Sequence, residues 1–300
     1  MRLLTTCFLV LLFAFFTSCG KESVADTGKP IVVATIFNYY DALRAIAGDD
    51  AEAVILLTPA TSPHGYSATA KDKMTVSRAK LLVRNGLGLD DWAKTLATNN
   101  RKLMQLAIGE SIRTLEETVP CQHGGHAHEH TSKNPHVWLD PTNQATIAKQ
   151  IADALGKIDP ANKANYAERA TKYIADLEAL DAEFQAATKT FKHKEFIGFH
   201  SAYDYLAHRY DLKQVAALQE AGSEGMSPAQ VQRVIDIIKK HNIPVIFTET
   251  AFDARQTQPV VTATGVKIGI LQPLETYDAI DNTYLSLMRQ NLEELKKYMQ

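Results

Sequence analysis

Cysteine is nearly absent from this 300-residue chain: there are three, and their positions exclude a disulfide framework. Cys7 lies inside an apolar leader, Cys19 lies just behind it, and Cys121 stands alone, where one thiol has no internal partner. Stability must come from packing. An excess of one charge is also missing, with 32 Lys and Arg interspersed among 34 Asp and Glu. Nothing in that balance suggests nucleic acid as a partner. A His-Glu-x-x-His sequence is missing as well, and with it the usual signature of a metallohydrolase. The apolar run from Leu3 to Phe16 is too short to span a bilayer comfortably and has no stop-transfer flank.

That run, preceded by Met1-Arg2, is of signal-peptide length. It ends in Phe16-Thr17-Ser18-Cys19-Gly20, which resembles the lipobox of bacterial lipoproteins, with Phe16 where leucine is usual. The resemblance implies removal of residues 1–18, lipidation of Cys19 and an extracytoplasmic, membrane-anchored protein. Residues 19–29 then form the lipidated N-terminus and a polar tether. The remaining chain is too long for one average domain and comfortable for two, each with its own core.

From Pro30, short apolar runs alternate with helix-like stretches, which predicts α/β organisation. Ile31–Ala34, Glu52–Leu57, Lys80–Arg84 and Lys102–Ala107 read as strands, and Asn38–Ala47 as a helix closed by Gly48. The runs lack strict alternation, as parallel strands covered on both faces do. Thr142–Ile158 is helical, and Asp159-Pro160 is a helix-opening pair. From Ala161 to about Thr190 there is neither glycine nor proline, and Tyr166, Ala170, Tyr173, Ile174, Leu177 and Leu180 recur at helical spacing. A helix of about 30 residues would be about 45 Å long, a strut between two lobes. Strands then resume at Glu195–Phe199, Gln214–Leu218, Pro244–Thr248 and Val266–Leu271, with helices from Ser227-Pro228 to Lys240 and from Asp281 to Met299. The expected layout is a lobe over 30–158, a linking helix over 159–191 and a lobe over 192–300.

Three histidines have distinctive settings. His64 follows Pro63 after a strand, His136 lies in Asn134-Pro135-His136-Val137-Trp138-Leu139-Asp140-Pro141, and His200 ends the strand Phe196-Ile197-Gly198-Phe199. Ligands of α/β sheets gather outside the carboxyl ends of strands, where two of these fall. Neutral imidazole suits zinc and its neighbours. Spacing alone does not unite the three, since each could be a surface or satisfied core histidine. A separate tract, Cys121 to His130, holds His123, His126, His128 and His130 among glycines and reads as a loose, fast-exchanging metal-binding loop or a solvated one. His193, His208 and His241 sit beside charged residues as ordinary surface positions.

The chain resembles the metal-binding component of zinc-uptake ABC transporters, the ZnuA-like branch of the cluster A-I (TroA-like) solute-binding proteins. The resemblance rests on Pro63-His64, on Leu81 through Leu89 (LLVRNGLGL), on Asn134 through Pro141, on the strand ending in His200, and on Val245-Ile246-Phe247-Thr248-Glu249. It implies two α/β lobes with parallel sheets joined by one long rigid backbone helix, and a metal site in the cleft between them. His64 and His136 would be first-lobe ligands and His200 a second-lobe ligand. Manganese-type relatives place glutamate at the last position, so three nitrogens favour Zn2+ over Mn2+ or other divalent metals. The family's C-terminal Asp-Pro-Leu reads Gln272-Pro273-Leu274-Glu275 here. The fourth donor is then Gln272, Glu275, Glu249 or water, and a weak or exchangeable one is expected. Glu249 otherwise orients a histidine from behind or is structural; Asp140 reads as a helix cap and Trp138 as packing. The implied role is extracytoplasmic zinc capture for an ABC transporter permease, by a protein that is a monomer and not an enzyme. A manganese- or iron-binding relative, a metal-binding adhesin and a secreted zinc hydrolase are the alternatives.

Overall fold

The computed structural model describes residues 28–59, 61–116, 133–219, 226–250, 254–277, 279 and 281–300. The leader, Cys19, most of the tether and the His-rich tract 121–130 with Cys121 lie outside the described residues.

The described residues form two four-stranded parallel sheets of the same topology. The first has the order β2-β1-β3-β4, from β1 (Ile31–Ala34), β2 (Glu52–Ile55), β3 (Leu81–Arg84) and β4 (Met104–Ala107). The second has the order β6-β5-β7-β8, from β5 (Glu195–Gly198), β6 (Lys213–Ala217), β7 (Val245–Thr248) and β8 (Lys267–Ile270). Ile31 pairs with Glu52 and Leu81 with Met104, and Val245 pairs with Lys267 in the second sheet. In both sheets the order reverses beside the first strand, so the carboxyl ends there splay into a crevice. The strands are shorter than their apolar runs because the last one or two residues of several runs leave the ladder for the loops that carry the site.

The helices are α1 (Phe37–Ala47), α2 (Ala70–Arg78), α3 (Pro141–Ile158), α4 (Lys163–Thr188), α5 (Asp204–Arg209), α6 (Pro228–His241), α7 (Gln258–Thr264) and α8 (Tyr284–Met299). The long helix α4 has 26 residues, about 39 Å, and a single 3-10 turn over Pro160–Asn162 precedes it. That turn is tight because the Asp159 carboxylate takes hydrogen bonds from the Asn162 amide and the Tyr166 hydroxyl, at 2.8 and 2.7 Å. The closing helix starts at Tyr284 rather than Asp281, since Thr283 caps it in a reciprocal pair with Ser286.

Alternate strand positions separate two layers on each sheet. Val33 and Leu82 face a small cluster under α2, and Ile197 and Ile246 face another under α6 and α7. The opposite faces, Val32, Ala34 and Val83 in one sheet and Phe196, Val245 and Phe247 in the other, join a single cluster. Tyr166, Tyr173, Leu177, Leu180 and Phe184 of α4 and Leu287, Leu292 and Leu295 of α8 fill its middle. The helix expected as a strut is therefore the centre of a core that both sheets share. Separate cores for the two lobes were the expectation; the apolar stripe of α4 faces too many partners to serve one sheet only.

Candidate metal centre

His64 sits at the corner of a four-residue turn in which the Tyr66 N–H donates to the Pro63 carbonyl. Gly65 supplies the positive φ, 74°, that such a turn needs at its third residue. His136 begins a single 3-10 turn, Val137–Leu139, squeezed against the start of α3, where Asp140 accepts from the Thr142 N–H and Pro141 occupies the first helical position. Asp140 is thus a cap, as read from sequence.

His200 lies two residues beyond β5, and its carbonyl accepts from the Gln214 amide at 2.8 Å. That amide runs so close to Gly198 that a Cβ there would lie 2.6 Å from Gln214 Nε2. A side chain at position 198 would push that amide away from the His200 carbonyl.

Glu275 comes after β8, yet its backbone is bonded to the first sheet's side. Its carbonyl accepts from the Phe37 N–H at the start of α1, 3.1 Å, and the Trp138 indole donates to the Pro273 carbonyl at 2.7 Å. Between them Leu274 adopts a left-handed backbone, φ 59°. That conformation costs a non-glycine residue about 1–2 kcal/mol and turns the Glu275 side chain toward the histidines. Trp138 is fully buried, with its ring edge-on to Tyr39 at 6.1 Å.

The donor atoms of His64, His136, His200 and Glu275 lie within 4.8 Å of one another. Glu275 Oε1 is 2.7 Å from His136 Nε2, 3.3 Å from His64 Nε2 and 3.4 Å from His200 Nε2. His136, His200 and Glu275 are 2%, 5% and 3% exposed, so water scarcely shields them. Behind two of the rings an acceptor holds the other nitrogen: Asn134 Oδ1 at 2.7 Å from His136 Nδ1, and Glu249 Oε1 at 2.6 Å from His200 Nδ1. Those partners fix each ring's tautomer and aim its Nε2 inward.

Of the three candidates for the fourth position, the structure brings Glu275 to the cluster. Gln272 is turned away, its amide paired with the Thr250 hydroxyl at 3.2–3.3 Å. Glu249 stands behind His200, so its orienting reading is the one the geometry carries. A weak or exchangeable fourth donor was the expectation; the group beside the three histidines is instead a buried carboxylate, one of the alternatives the sequence left open. His208 is exposed and His241 pairs with Glu195 at 2.9 Å; neither they nor His193 join the cluster. Asn134, which accepts from His136, is a neighbour of the cluster that its residue type did not announce; its place two residues before His136 was the available signal.

The electrostatics suit a cation. Burial lowers His136 to about 4, although Glu275 pulls the other way. Burial also opposes charge on His200, but Glu249 and Glu275 outweigh it and raise His200 to about 10. Burial would raise Glu275, and the three histidines together hold it well below the ordinary carboxylate range. His200 Nε2 lies 3.2 Å from His136 Nε2 and 3.4 Å from Glu275 Oε1, so these atoms face one shared position.

A family profile described as the zinc-uptake complex component A, periplasmic, matches residues 32–298. The chain belongs to the ZnuA family. Among ZnuA relatives, it is 30% identical over 293 residues to the zinc-binding lipoprotein AdcA of Streptococcus pneumoniae serotype 4 (strain ATCC BAA-334 / TIGR4), covering 94% of this chain but 58% of AdcA. The chain thus spans less than two thirds of AdcA's length. It is also 30% identical over 303 residues to the high-affinity zinc uptake system protein ZnuA of Bacillus subtilis (strain 168), covering 98% of this chain and 95% of that protein. Among solved structures it is similar to the laminin-binding protein Lmb of Streptococcus agalactiae, described as bifunctional with adhesin and metal-transporting activity, with TM-score 0.79 and 26% identity over 90% of this chain and all of that one. Two parallel-sheet lobes with a long helix are what the ZnuA family and this chain share.

Proposed function

We propose that this protein is the extracytoplasmic component that captures zinc and delivers it to a membrane permease of an ABC transporter, with His64, His136, His200 and Glu275 as ligands. The observation that carries the reading is the convergence of three imidazole nitrogens and one carboxylate oxygen within 4.8 Å, with the far nitrogens of His136 and His200 already anchored. Three nitrogens and one oxygen at tetrahedral number are a zinc-type set, poor for the hard cations that prefer all-oxygen sites. Membership of the ZnuA family and the zinc-binding names of AdcA and ZnuA support the same metal.

Four converging protein donors also argue against a hydrolase, whose zinc keeps an open position for water. Glu249, the nearest further carboxylate behind the site, is engaged by His200 and is not a free base. Cys19 carries the lipid that holds the monomer at the membrane.

The test is chelator competition on residues 20–300 beside His200→Ala. One tight zinc per chain that weakens sharply in the variant supports the site. Zinc binding indifferent to the variant places the metal elsewhere and removes this reading. Growth under zinc starvation that depends on the cognate permease separates delivery from adhesion alone.

A further inference from the structure

Asn134 is fully buried and uses every hydrogen-bonding atom it has. Its Oδ1 accepts from the His136 backbone N–H at 3.0 Å and from His136 Nδ1 at 2.7 Å. Its Nδ2 donates to the Ser201 carbonyl at 3.0 Å and to Asp204 Oδ2 at 2.8 Å. Its backbone N–H donates to the Leu115 carbonyl at 2.9 Å, and its carbonyl accepts from the Tyr205 hydroxyl at 3.0 Å.

These partners settle which way the amide faces. Reversed, the NH2 group would meet the His136 backbone N–H, donor against donor, and the carbonyl would meet Ser201 O and Asp204, acceptor against acceptor. With Oδ1 facing His136, the ring nitrogen Nδ1 must carry a hydrogen, and Nε2 is turned toward Glu275 Oε1 at 2.7 Å and His200 Nε2 at 3.2 Å. The other end of the same amide grips residues just beyond His200 on the opposite sheet. Tyr205, on α5, adds a second tie, accepting from the Leu115 N–H at 3.0 Å while donating to Asn134. The isolated bridge between Glu116 and Lys133 closes this stem from outside.

We infer that Asn134 is a positioning residue that couples the donor state of His136 to the seating of the second lobe. One planar amide cannot turn to suit one side without breaking the other. When His200 and α5 draw away, the amide that fixes the His136 tautomer is pulled with them, so ligand readiness and lobe approach rise and fall together. The inference rests on the zinc-capture reading, but its tautomer half does not need zinc.

The experiment uses the full chain without its leader, as wild type, Asn134→Ala and Asn134→Asp. In metal-free protein, 15N spectra of labelled histidine report the His136 tautomer. Hydrogen exchange at Asp204–Arg209 reports the seating of α5, and chelator competition reports zinc affinity. Wild type is expected in the single Nδ1–H form. Asn134→Ala should show mixed tautomers, faster exchange in α5 and zinc affinity about 10–100-fold weaker, as loss of such orienting partners typically causes. Asn134→Asp is nearly isosteric and keeps the acceptor for Nδ1, so it should hold the tautomer. It should still loosen α5, because a carboxylate then faces Asp204. A single Nδ1–H form with zinc affinity within twofold of wild type in Asn134→Ala overturns the inference. So does unchanged α5 exchange in Asn134→Asp, which also decides the matter should the alanine variant not fold. Absence of zinc binding by wild type would defeat the zinc reading, and the tautomer and exchange measurements would still judge Asn134.

Discussion

Zinc loading should expel one proton, and the structure says which one. His200 is raised to about 10 and His136 lowered to about 4. At pH 8 the metal-free site therefore holds a proton on His200 and none on His136. Because the bound form needs a neutral ring, that proton leaves when zinc enters. Three ordinary imidazoles of pKa about 6.5 would together release only about 0.1 proton at pH 8, against about one expected here. The raised pKa stabilises the metal-free form, so apparent affinity climbs with pH, by about tenfold per unit between about 7 and 9. Calorimetric titration at pH 8 in buffers of different ionisation enthalpy reads the proton count directly. Glu249→Gln removes the charge that most favours the His200 cation, so its count should drop well below that of wild type. A wild-type count near 0.1, or the same count in both proteins, would refute the reasoning.

Other consequences are as direct. Glu275→Gln removes a donor in direct contact with the histidines; since orienting partners alone are worth about 10–100-fold, its zinc affinity should fall by about 100-fold or more in the same competition assay. Trp138→Phe strands the buried Pro273 carbonyl, which should cost about 1–3 kcal/mol in urea unfolding and weaken zinc by letting Glu275 drift. Phe184→Ala, in the shared core and stacked on Tyr210 at 4.8 Å between centroids, should cost about 3–5 kcal/mol. Burial would raise the Asp181 carboxyl, but Arg209 and Tyr210 outweigh it and hold it below the ordinary range. Stability from that pair is present above about pH 4 and lost as pH falls further, so the deficit of Arg209→Met should be about 1 kcal/mol at neutral pH and shrink on acidification.

Much of the frame was legible because parallel strands buried on both faces write themselves as short Val- and Ile-rich runs. The 3.6-residue stripe of α4 was equally plain. Its start was not, since the Asp159 turn depends on Tyr166 reaching back. The six-residue α5 was invisible: Tyr203, Tyr205 and Leu206 are buried on several sides at once, leaving no periodicity to read. The three histidines were findable from strand ends and motif resemblance. The fourth donor was not decidable, since Gln272 and Glu275 are three residues apart and the choice lies in the left-handed backbone of Leu274, which leucine does not advertise. Asn134 could not be assigned a task because three of its five partners lie more than sixty residues away.

The single core through α4 has a consequence for how the molecule comes apart. Sheets that share one apolar layer cannot melt one after the other, because unfolding either strips α4 and α8 of half their cover. Heating should give one calorimetric transition whose enthalpy matches the whole chain. A cut near residue 191 should yield two sticky fragments rather than two folded halves. In the folding sense the two lobes are one cooperative unit.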